Sequence, residues 1–237
     1  MPARLYLIPN TMSEESDSSV IPAYVVDVVS RIRYFFVEEE RSARRFLKRL
    51  NPQFPLGECQ LFLLNEHSHW QDVEKEFEQI QGNDIGIISE AGCPCVADPG
   101  AELVLLAHQK NMEVVPLIGP SSIVLALMAS GLNGQNFAFN GYLPKEKDER
   151  IRKIKALEQR SSMEQQTQIF MEAPYRNQNL FEEIVSACAD ATLLSVAVDL
   201  TSTSEYIKTL SIKEWKRTPP QIRKREALFL IQGMRKR

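Results

Sequence analysis

The sequence predicts an α/β protein of two domains, with a mostly parallel sheet in the N-terminal domain and a smaller mixed sheet in the C-terminal domain. Short β-branched runs alternate with helical segments of about ten residues, a pattern typical of an open sheet covered on both faces. The 237 residues are 43% hydrophobic and 25% charged, which allows a sizeable core. The pattern changes character near residue 120, so we place the domains at residues 1–118 and 119–237.

The strands of the first domain are predicted from apolar runs that end in turn-forming or polar residues. They cover residues 4–8, 34–37, 60–64, 85–89 and 113–118. Residues 10–19 are polar and predict a mobile loop. Apolar residues at helical spacing predict four helices. The first begins at Pro22, and the others cover residues 41–50, 72–80 and 101–109. Asp98 is the predicted N-cap of the last of these, with Pro99 at the first helical position.

The second domain is predicted as a smaller α/β unit. A helix follows Gly119-Pro120-Ser121-Ser122 and runs to Gly131. Strands are predicted over 136–141, 168–171, 193–199 and 227–231, and a helix over 180–188. The charged segment 145–160 carries three apolar residues on one face.

The strongest indication of a site is the connection SEAGCPCVADPG, residues 89–100, directly after a buried strand. Connections of this kind usually need two to six residues, so a longer one that is rich in turn formers favours a binding loop. It lacks the glycine and lysine spacing of a phosphate-binding loop or a dinucleotide fingerprint. Gly92 permits a close backbone approach, which suits a ligand held by main-chain groups and hydroxyls.

Charge and composition limit the possible partners. A net charge of −3 gives no global attraction to a polyanion, so any contact with RNA needs a local basic patch. No apolar run is long enough for a membrane span, and no signal peptide is visible, so we expect a cytoplasmic protein without membrane contact. Four cysteines lack zinc-site spacing, and Glu66-His67-Ser68-His69 favours a polar rim over metal ligands, so we expect no metal.

Four stretches in chain order carry a resemblance to a known family: IISEAGCPCVADPG, VVPLIGPSSIVLALMASGL, FAFNGYLP and IFMEAPYR. They resemble motifs of the tetrapyrrole-methylase superfamily of S-adenosylmethionine-dependent methyltransferases. The most similar branch 2′-O-methylates a cytidine of small-subunit ribosomal RNA, and its motifs read D-A-G-T-P-G-I-S-D-P-G, P-G-P-S-A, G-F-L-P and E-S-P-H-R. The resemblance implies S-adenosylmethionine in a cleft between two domains, ribosomal RNA or the small ribosomal subunit as partner, and a homodimer.

Position by position, the resemblance assigns residues to the cofactor and to the substrate. The expected cofactor residues are Pro9, Glu90, Ala91, Gly92, Cys93, Val96, Ser121, Ser122, Glu172, Leu200 and Thr201. The expected substrate residues are Glu39, Arg41, Arg44, Glu66 and His67. Glu39 is also the candidate general base, with solvent as the alternative. Ser121 and Ser122 can equally cap the following helix, and Glu90 can cap a turn.

The sequence differs from this rRNA-methylating branch at three motifs, so the resemblance does not determine the methyl acceptor. The family's Gly-Asn-Leu reads Asn10-Thr11-Met12, its A-E-D-T-R reads VEEER from residue 37, and its R-E-L-T-K reads DLTS from residue 199. A tetrapyrrole or other small-molecule acceptor, or a non-catalytic relative that binds S-adenosylmethionine, are the alternatives. The basic residues of the 41–50 helix and of the last 25 residues favour an anionic substrate, or else form solvated surface.

Overall fold

Five parallel strands form the sheet of the N-terminal half. The strands are β1 (Arg4–Ile8), β2 (Tyr34–Val37), β3 (Gln60–Leu63), β4 (Ile85–Ile88) and β5 (Glu113–Pro116). They lie in the order β3-β2-β4-β1-β5, and every neighbouring pair is parallel. All five carboxyl ends therefore meet at one edge, as the sequence predicts. The structure is a computed structural model that describes residues 2–13 and 20–234.

Helices cover both faces of this sheet. They are α1 (Ala23–Val29), α2 (Glu40–Leu50), α3 (Trp70–Gln79) and α4 (Ala101–Gln109). Phe35 packs in a cluster with the buried residues of α1 and α2, whereas Phe36 packs in a second cluster with those of α3 and α4. Successive residues of a strand point to opposite faces, so these two neighbours anchor the two layers of the core.

The start of α4 differs from the prediction. The helix begins at Ala101, and its N-cap is Gly100, whose φ is +123°. Asp98 does not cap the helix, because its carboxylate accepts a hydrogen bond of 2.5 Å from the Ser89 hydroxyl at the start of the same loop. Asp98 thus ties the two ends of the loop together.

The C-terminal half contains a mixed sheet of five strands. They are β6 (Phe137–Tyr142), β7 (Thr167–Met171), β8 (Leu193–Val198), β9 (Tyr206–Ser211) and β10 (Ala227–Gln232). Their order is β6-β7-β10-β8-β9; β6 and β7 are parallel, and the other pairs are antiparallel. The mixed sheet agrees with the prediction, but β9 was not predicted. It is an edge strand with no fully buried residue, so its apolar signal is weak.

Four helices pack with the second sheet: α5 (Ser122–Ser130), α6 (Lys147–Glu164), α7 (Asn177–Ala187) and α8 (Ile212–Trp215). The apolar face of α6 buries Ile154 and Leu157. Arg150 of the same helix pairs with Glu183 at 2.6 Å, and both side chains are nearly buried. The two halves form separate compact units that divide between Ser121 and Ser122. Among the described residues, no helix combines the length and apolar character that crossing a membrane requires.

Candidate active site

The loops after β1 and β4 are joined at the carboxyl edge of the first sheet. The backbone N–H of Asn10 donates to the Gly92 carbonyl at 2.9 Å, and the Gly92 N–H donates back to Asn10 at 3.2 Å. The Asn10 side-chain amide also donates to the carbonyls of Ser89 at 2.9 Å and Glu90 at 3.1 Å. Asn10 and Thr11 are buried, which corrects the predicted mobile loop at these two residues. Residues 14–19 of that prediction lie outside the described residues.

The loop after β5 packs against the other two. A Cβ added to Gly119 would lie 2.3 Å from Cβ and Cγ of Pro9, so only glycine fits against the proline ring. The Cys93 thiol donates to the carbonyl of Pro120 at 3.4 Å. The first unit therefore brings Pro9, Gly92 and Cys93 to one place, beside the residues that lead into Ser121.

Several residues of the 89–100 loop have a positive backbone φ angle. Gly92 has a φ of +71°, and an added Cβ would lie 3.3 Å from the Met12 sulfur and 3.4 Å from the Pro120 carbonyl oxygen. Cys95 and Ala97 also have positive φ, at 65° and 61°, which is costly for residues other than glycine. Strain of this kind clusters at binding loops, where the surrounding structure holds it in place.

Three carboxylates lie near the start and the end of this loop. Burial and the charges of Asp98 and Glu90 raise the pKa of Glu38 from 4.5 to about 7. Burial is also the main cause that raises the pKa of Asp98, against the opposing effect of the Ser89 hydroxyl. Glu38, which directly follows β2, therefore exchanges a proton near neutral pH. Glu38 was not among the predicted site residues, although its position at the end of a buried strand was an available signal.

Glu39, the neighbour of Glu38 in sequence, stabilises the start of α2. Its carboxylate caps α2 by accepting hydrogen bonds from the backbone N–H groups of Arg41 at 2.7 Å and Ser42 at 2.6 Å. These two bonds lower the pKa of Glu39. A carboxylate stabilised in its charged form is a weaker base. The capping geometry thus favours Glu38 over Glu39 as a proton acceptor.

The loop thiols are held in the protonated form. Burial and the nearby Asp98 carboxylate raise the pKa of Cys93 and raise that of Cys95 to about 11. The thiolate is the reactive form of cysteine, so neither residue is a good nucleophile at neutral pH. This favours a role for both cysteines in lining the loop over a redox role.

The other predicted residues of the first unit are more exposed. Arg44 forms an exposed ion pair of 3.3 Å with Glu40, and Arg41 is exposed on the same helix. Glu66 and His67 each expose 85% of their side chains, with 3.5 Å between the Glu66 carboxylate and the His67 ring. In the described part of the chain, no three His, Cys, Asp or Glu side chains are grouped as a metal site would require.

In the second unit, Glu172 is the most informative of the predicted residues. Its Oε1 accepts hydrogen bonds from the Arg176 guanidinium at 2.5 Å and from the Ala173 N–H at 2.8 Å. Its Oε2 is buried and has no hydrogen-bond partner among the described residues. A buried carboxylate oxygen without a partner is costly, and a bound polar ligand would remove that cost.

The remaining predicted residues of the second unit are placed as follows. Leu200 is buried, and the Thr201 N–H donates to the Glu205 carboxylate at 2.8 Å. Thr201 has a φ of +69°. Ser122 is the first residue of α5 and is half-buried, as is Ser121 at the end of the first unit.

The chain is similar to curated methyltransferases along almost its whole length. It is 29% identical over 234 residues to "Ribosomal RNA small subunit methyltransferase I" of Escherichia coli O157:H7, which covers 97% of this chain and 78% of that protein. No family model matches the chain.

Two solved structures share the fold. Diphthine synthase superimposes with a TM-score of 0.70 at 14% identity and covers 98% of this chain and 90% of its own. The methyltransferase CobJ superimposes with a TM-score of 0.64 at 14% identity and covers 98% of this chain and 94% of its own. At this identity, the likeness establishes the fold.

Proposed function

We propose that this chain is a member of the tetrapyrrole-methylase superfamily and transfers a methyl group from S-adenosylmethionine to RNA of the small ribosomal subunit. One observation carries the proposal: the similarity to ribosomal RNA small subunit methyltransferase I extends over 97% of the chain. Because nearly all of both units is included, the site loops and the surrounding fold are similar together.

The residues present fit such a cofactor. The Asn10–Gly92 pairing holds main-chain groups of a glycine-containing turn in fixed positions. Val96 has 49% of its surface exposed beside this turn, which offers apolar contact to an adenine or a methionine side chain. In the second unit, the unpartnered Glu172 oxygen is suited to the ammonium group or a ribose hydroxyl of the cofactor.

We assign cofactor contacts to the residues that the resemblance implies, in two groups. In the N-terminal unit and at its boundary they are Pro9, Glu90, Ala91, Gly92, Cys93, Val96, Ser121 and Ser122; in the C-terminal unit they are Glu172, Leu200 and Thr201. When bound, the cofactor supplies a methyl group on a sulfonium. The protein must align the acceptor oxygen with that methyl group and exclude water.

The acceptor hydroxyl must lose a proton as its new O–CH₃ bond forms and the S–CH₃ bond breaks. We propose Glu38 as the acceptor of that proton, because its pKa of about 7 lies near the working pH. Glu39 is the less suitable candidate, since its carboxylate caps α2. Glu66, His67, Arg41 and Arg44 stay proposed substrate contacts.

Two measurements test the function. Calorimetric titration with S-adenosylmethionine shows whether the cofactor binds, and labelled cofactor with small ribosomal subunits from undermethylated cells shows whether RNA receives the methyl group. We expect a labelled position that resists alkaline cleavage, because a 2′-O-methyl group blocks attack by the 2′ oxygen. Binding without transfer would indicate a non-catalytic relative or a small-molecule acceptor. Absence of binding would refute the proposal.

We also propose that the protein acts as a homodimer in the cytoplasm, where its substrate is found. Light scattering coupled to gel filtration tests the assembly, and a mass equal to one chain of 27.0 kDa would contradict it.

A further inference from the structure

An exposed turn of the second unit carries two adjacent cations. The backbone N–H of Arg225 donates to the Ile222 carbonyl at 3.2 Å and closes this turn, residues 222–225. Its two central positions are Arg223 and Lys224, and both are exposed. Lys224 has a φ of +61°, in the left-handed region that is costly for a residue with a side chain. Such a conformation persists only where the surrounding structure holds it in place.

Hydrogen bonds hold the 222–225 turn against the residues that follow β7. The Lys224 N–H donates to the Pro174 carbonyl at 3.0 Å. The side-chain amide of Asn177, a fully buried residue, donates to the Arg225 carbonyl at 2.6 Å. The turn therefore presents its two central side chains from a fixed backbone.

Within the described ranges 2–13 and 20–234, the side chains of Arg223 and Lys224 form no hydrogen bond and no ion pair. Arg225, by contrast, pairs with Asp199 at 2.7 Å. Burial and the charge of Asp199 raise the pKa of Glu226, the nearest carboxylate in sequence, whereas an ion pair with either cation would lower it. The turn therefore offers two positive charges to a partner, although the whole chain has a net charge of −3.

An exposed tyrosine lies beside the turn. Tyr175 is 65% exposed and follows Pro174, whose carbonyl accepts from the Lys224 N–H. The Arg176 guanidinium lies over the tyrosine ring, 5.1 Å from its centroid, and also donates to the buried Glu172 carboxylate at 2.5 Å. Arg176 is thereby held in place against the ring. The exposure of Tyr175 leaves aromatic surface on which a planar group can stack.

An exposed ring beside two unneutralised cations favours single-stranded nucleic acid as the partner. Bases stack on aromatic side chains with little regard to sequence, and Lys and Arg neutralise the flanking phosphates. An acidic peptide would use the cations alone, whereas RNA uses the cations and the ring. The surface also adjoins Glu172, a proposed cofactor contact three residues before Tyr175.

We propose that Tyr175 stacks on an unpaired base of the RNA and that Arg223 and Lys224 bind the phosphates that flank this base. The inference rests on the proposed function and adds a substrate-binding surface in the C-terminal unit. The resemblance assigns cofactor contacts alone to this unit. The proposal thus gives part of the basic C-terminal segment a task in substrate binding instead of leaving it as solvated surface.

The test compares the double variant Arg223→Gln/Lys224→Gln and the single variant Tyr175→Leu with the native chain. The probes are protein-free RNA of the small ribosomal subunit and intact small subunits from undermethylated cells. We expect each variant to raise the Kd for RNA and the KM for subunits about tenfold, through the loss of two phosphate contacts or of one stacked base. For the double variant, the slope of log Kd against log salt should become shallower by roughly 1.4, at roughly 0.7 for each phosphate. Its Kd for S-adenosylmethionine should stay the same.

Two controls match these variants. Arg152→Gln/Lys153→Gln removes the same two charges from exposed neighbouring positions on α6 of the same unit. Tyr175→Phe keeps the aromatic ring. We expect both controls to stay within about twofold of the native Kd for RNA. All the substituted side chains are exposed, so the melting temperatures should stay the same, and a change in affinity then reports binding and not folding.

Three outcomes would overturn the inference. In the first, the double variant binds RNA as the Arg152/Lys153 control does. In the second, Tyr175→Phe weakens RNA binding as much as Tyr175→Leu, which would exclude stacking. In the third, the variants bind intact subunits weakly but protein-free RNA normally, which would assign the surface to a ribosomal protein. A native chain that methylates no RNA refutes the proposed function, whereas a native chain that methylates RNA, with unaffected variants, refutes only this surface.

Discussion

Replacing Glu38 with glutamine should change how stability depends on pH. Burial and the charges of Asp98 and Glu90 raise the pKa of Glu38 from 4.5 to about 7 in the folded chain. Between these two values the folded state keeps a proton that the unfolded state releases. The free energy of unfolding should therefore fall as the pH rises from 4.5 to about 7, and glutamine, which carries no charge, removes this loss.

The size of the effect follows from the shift. A change of pKa from 4.5 to about 7 corresponds to at most about 3 kcal/mol. Glu38 is half-buried, and solvent screens its interactions, so we expect an effect of about 1 kcal/mol. The glutamine variant should be more stable than the native chain by this amount at pH 8 and equally stable at pH 4.5.

Urea unfolding followed by circular dichroism across this pH range measures the difference. Glu66→Gln is the control, because 85% of the Glu66 side chain is exposed and its removal should leave the pH profile unchanged. Parallel profiles for the native chain and the Glu38 variant would refute the assignment of a raised pKa. The same variant should lose methyl transfer while it keeps the cofactor affinity of the native chain.

Three other substitutions test the site and the core. Gly92→Ala should weaken cofactor binding about tenfold by calorimetry and cost about 1 kcal/mol of stability, because its φ is +71° and the new Cβ would crowd a neighbouring sulfur and carbonyl. Asn10→Ala should lower the free energy of unfolding by about 2 kcal/mol in urea, because it removes the amide donor of the buried Ser89 carbonyl and of the partly buried Glu90 carbonyl. Glu183→Gln should cost about 3 kcal/mol in urea, because it leaves the charge of Arg150 unpaired in a nearly buried position.

Matched controls separate these causes. Gly82→Ala has a similar backbone cost, at a φ of +96°, but apart from its chain neighbours no described residue has an atom within 4 Å of the added Cβ, so cofactor binding should not change. Asn83→Ala removes one side-chain bond to a carbonyl outside the site, and Glu78→Gln breaks an exposed pair with Lys110. Each of these two should cost less than about 1 kcal/mol. Equal effects in variant and control would contradict the corresponding explanation.

The fold could be predicted where the apolar pattern of the sequence agrees with the burial of the same residues in the structure. The apolar run of β4 is buried at all four positions, and the alternation of Phe35 and Phe36 between two core clusters follows from strand geometry. Strand β9 escaped prediction because an edge strand covers little apolar surface. Its strand conformation is set by antiparallel pairing with β8, which its own composition does not indicate.

The candidate site was predictable in its location but not in its polar details. The length and composition of the 89–100 loop indicated a binding loop, and the resemblance named its residues. Asn10 looked like part of a loose polar segment, yet its amide satisfies carbonyls that lie about 80 residues away in sequence. The pKa of Glu38 likewise depends on Asp98 and Glu90, which only the folded sheet brings near. Tertiary contacts of this kind leave no local signal in the sequence.

The position of β1 has a consequence for synthesis of the protein. This strand is made before the other strands of its sheet, yet both of its hydrogen-bonding partners, β4 and β5, are made much later. Until β5 has left the ribosome, one edge of β1 in the nascent chain is unpaired. The packing of Gly119 against the ring of Pro9 has not formed either. Truncated fragments that stop before residue 116 should therefore aggregate or need a chaperone. The N-terminal part of the proposed cofactor site should form in one late step when β5 docks.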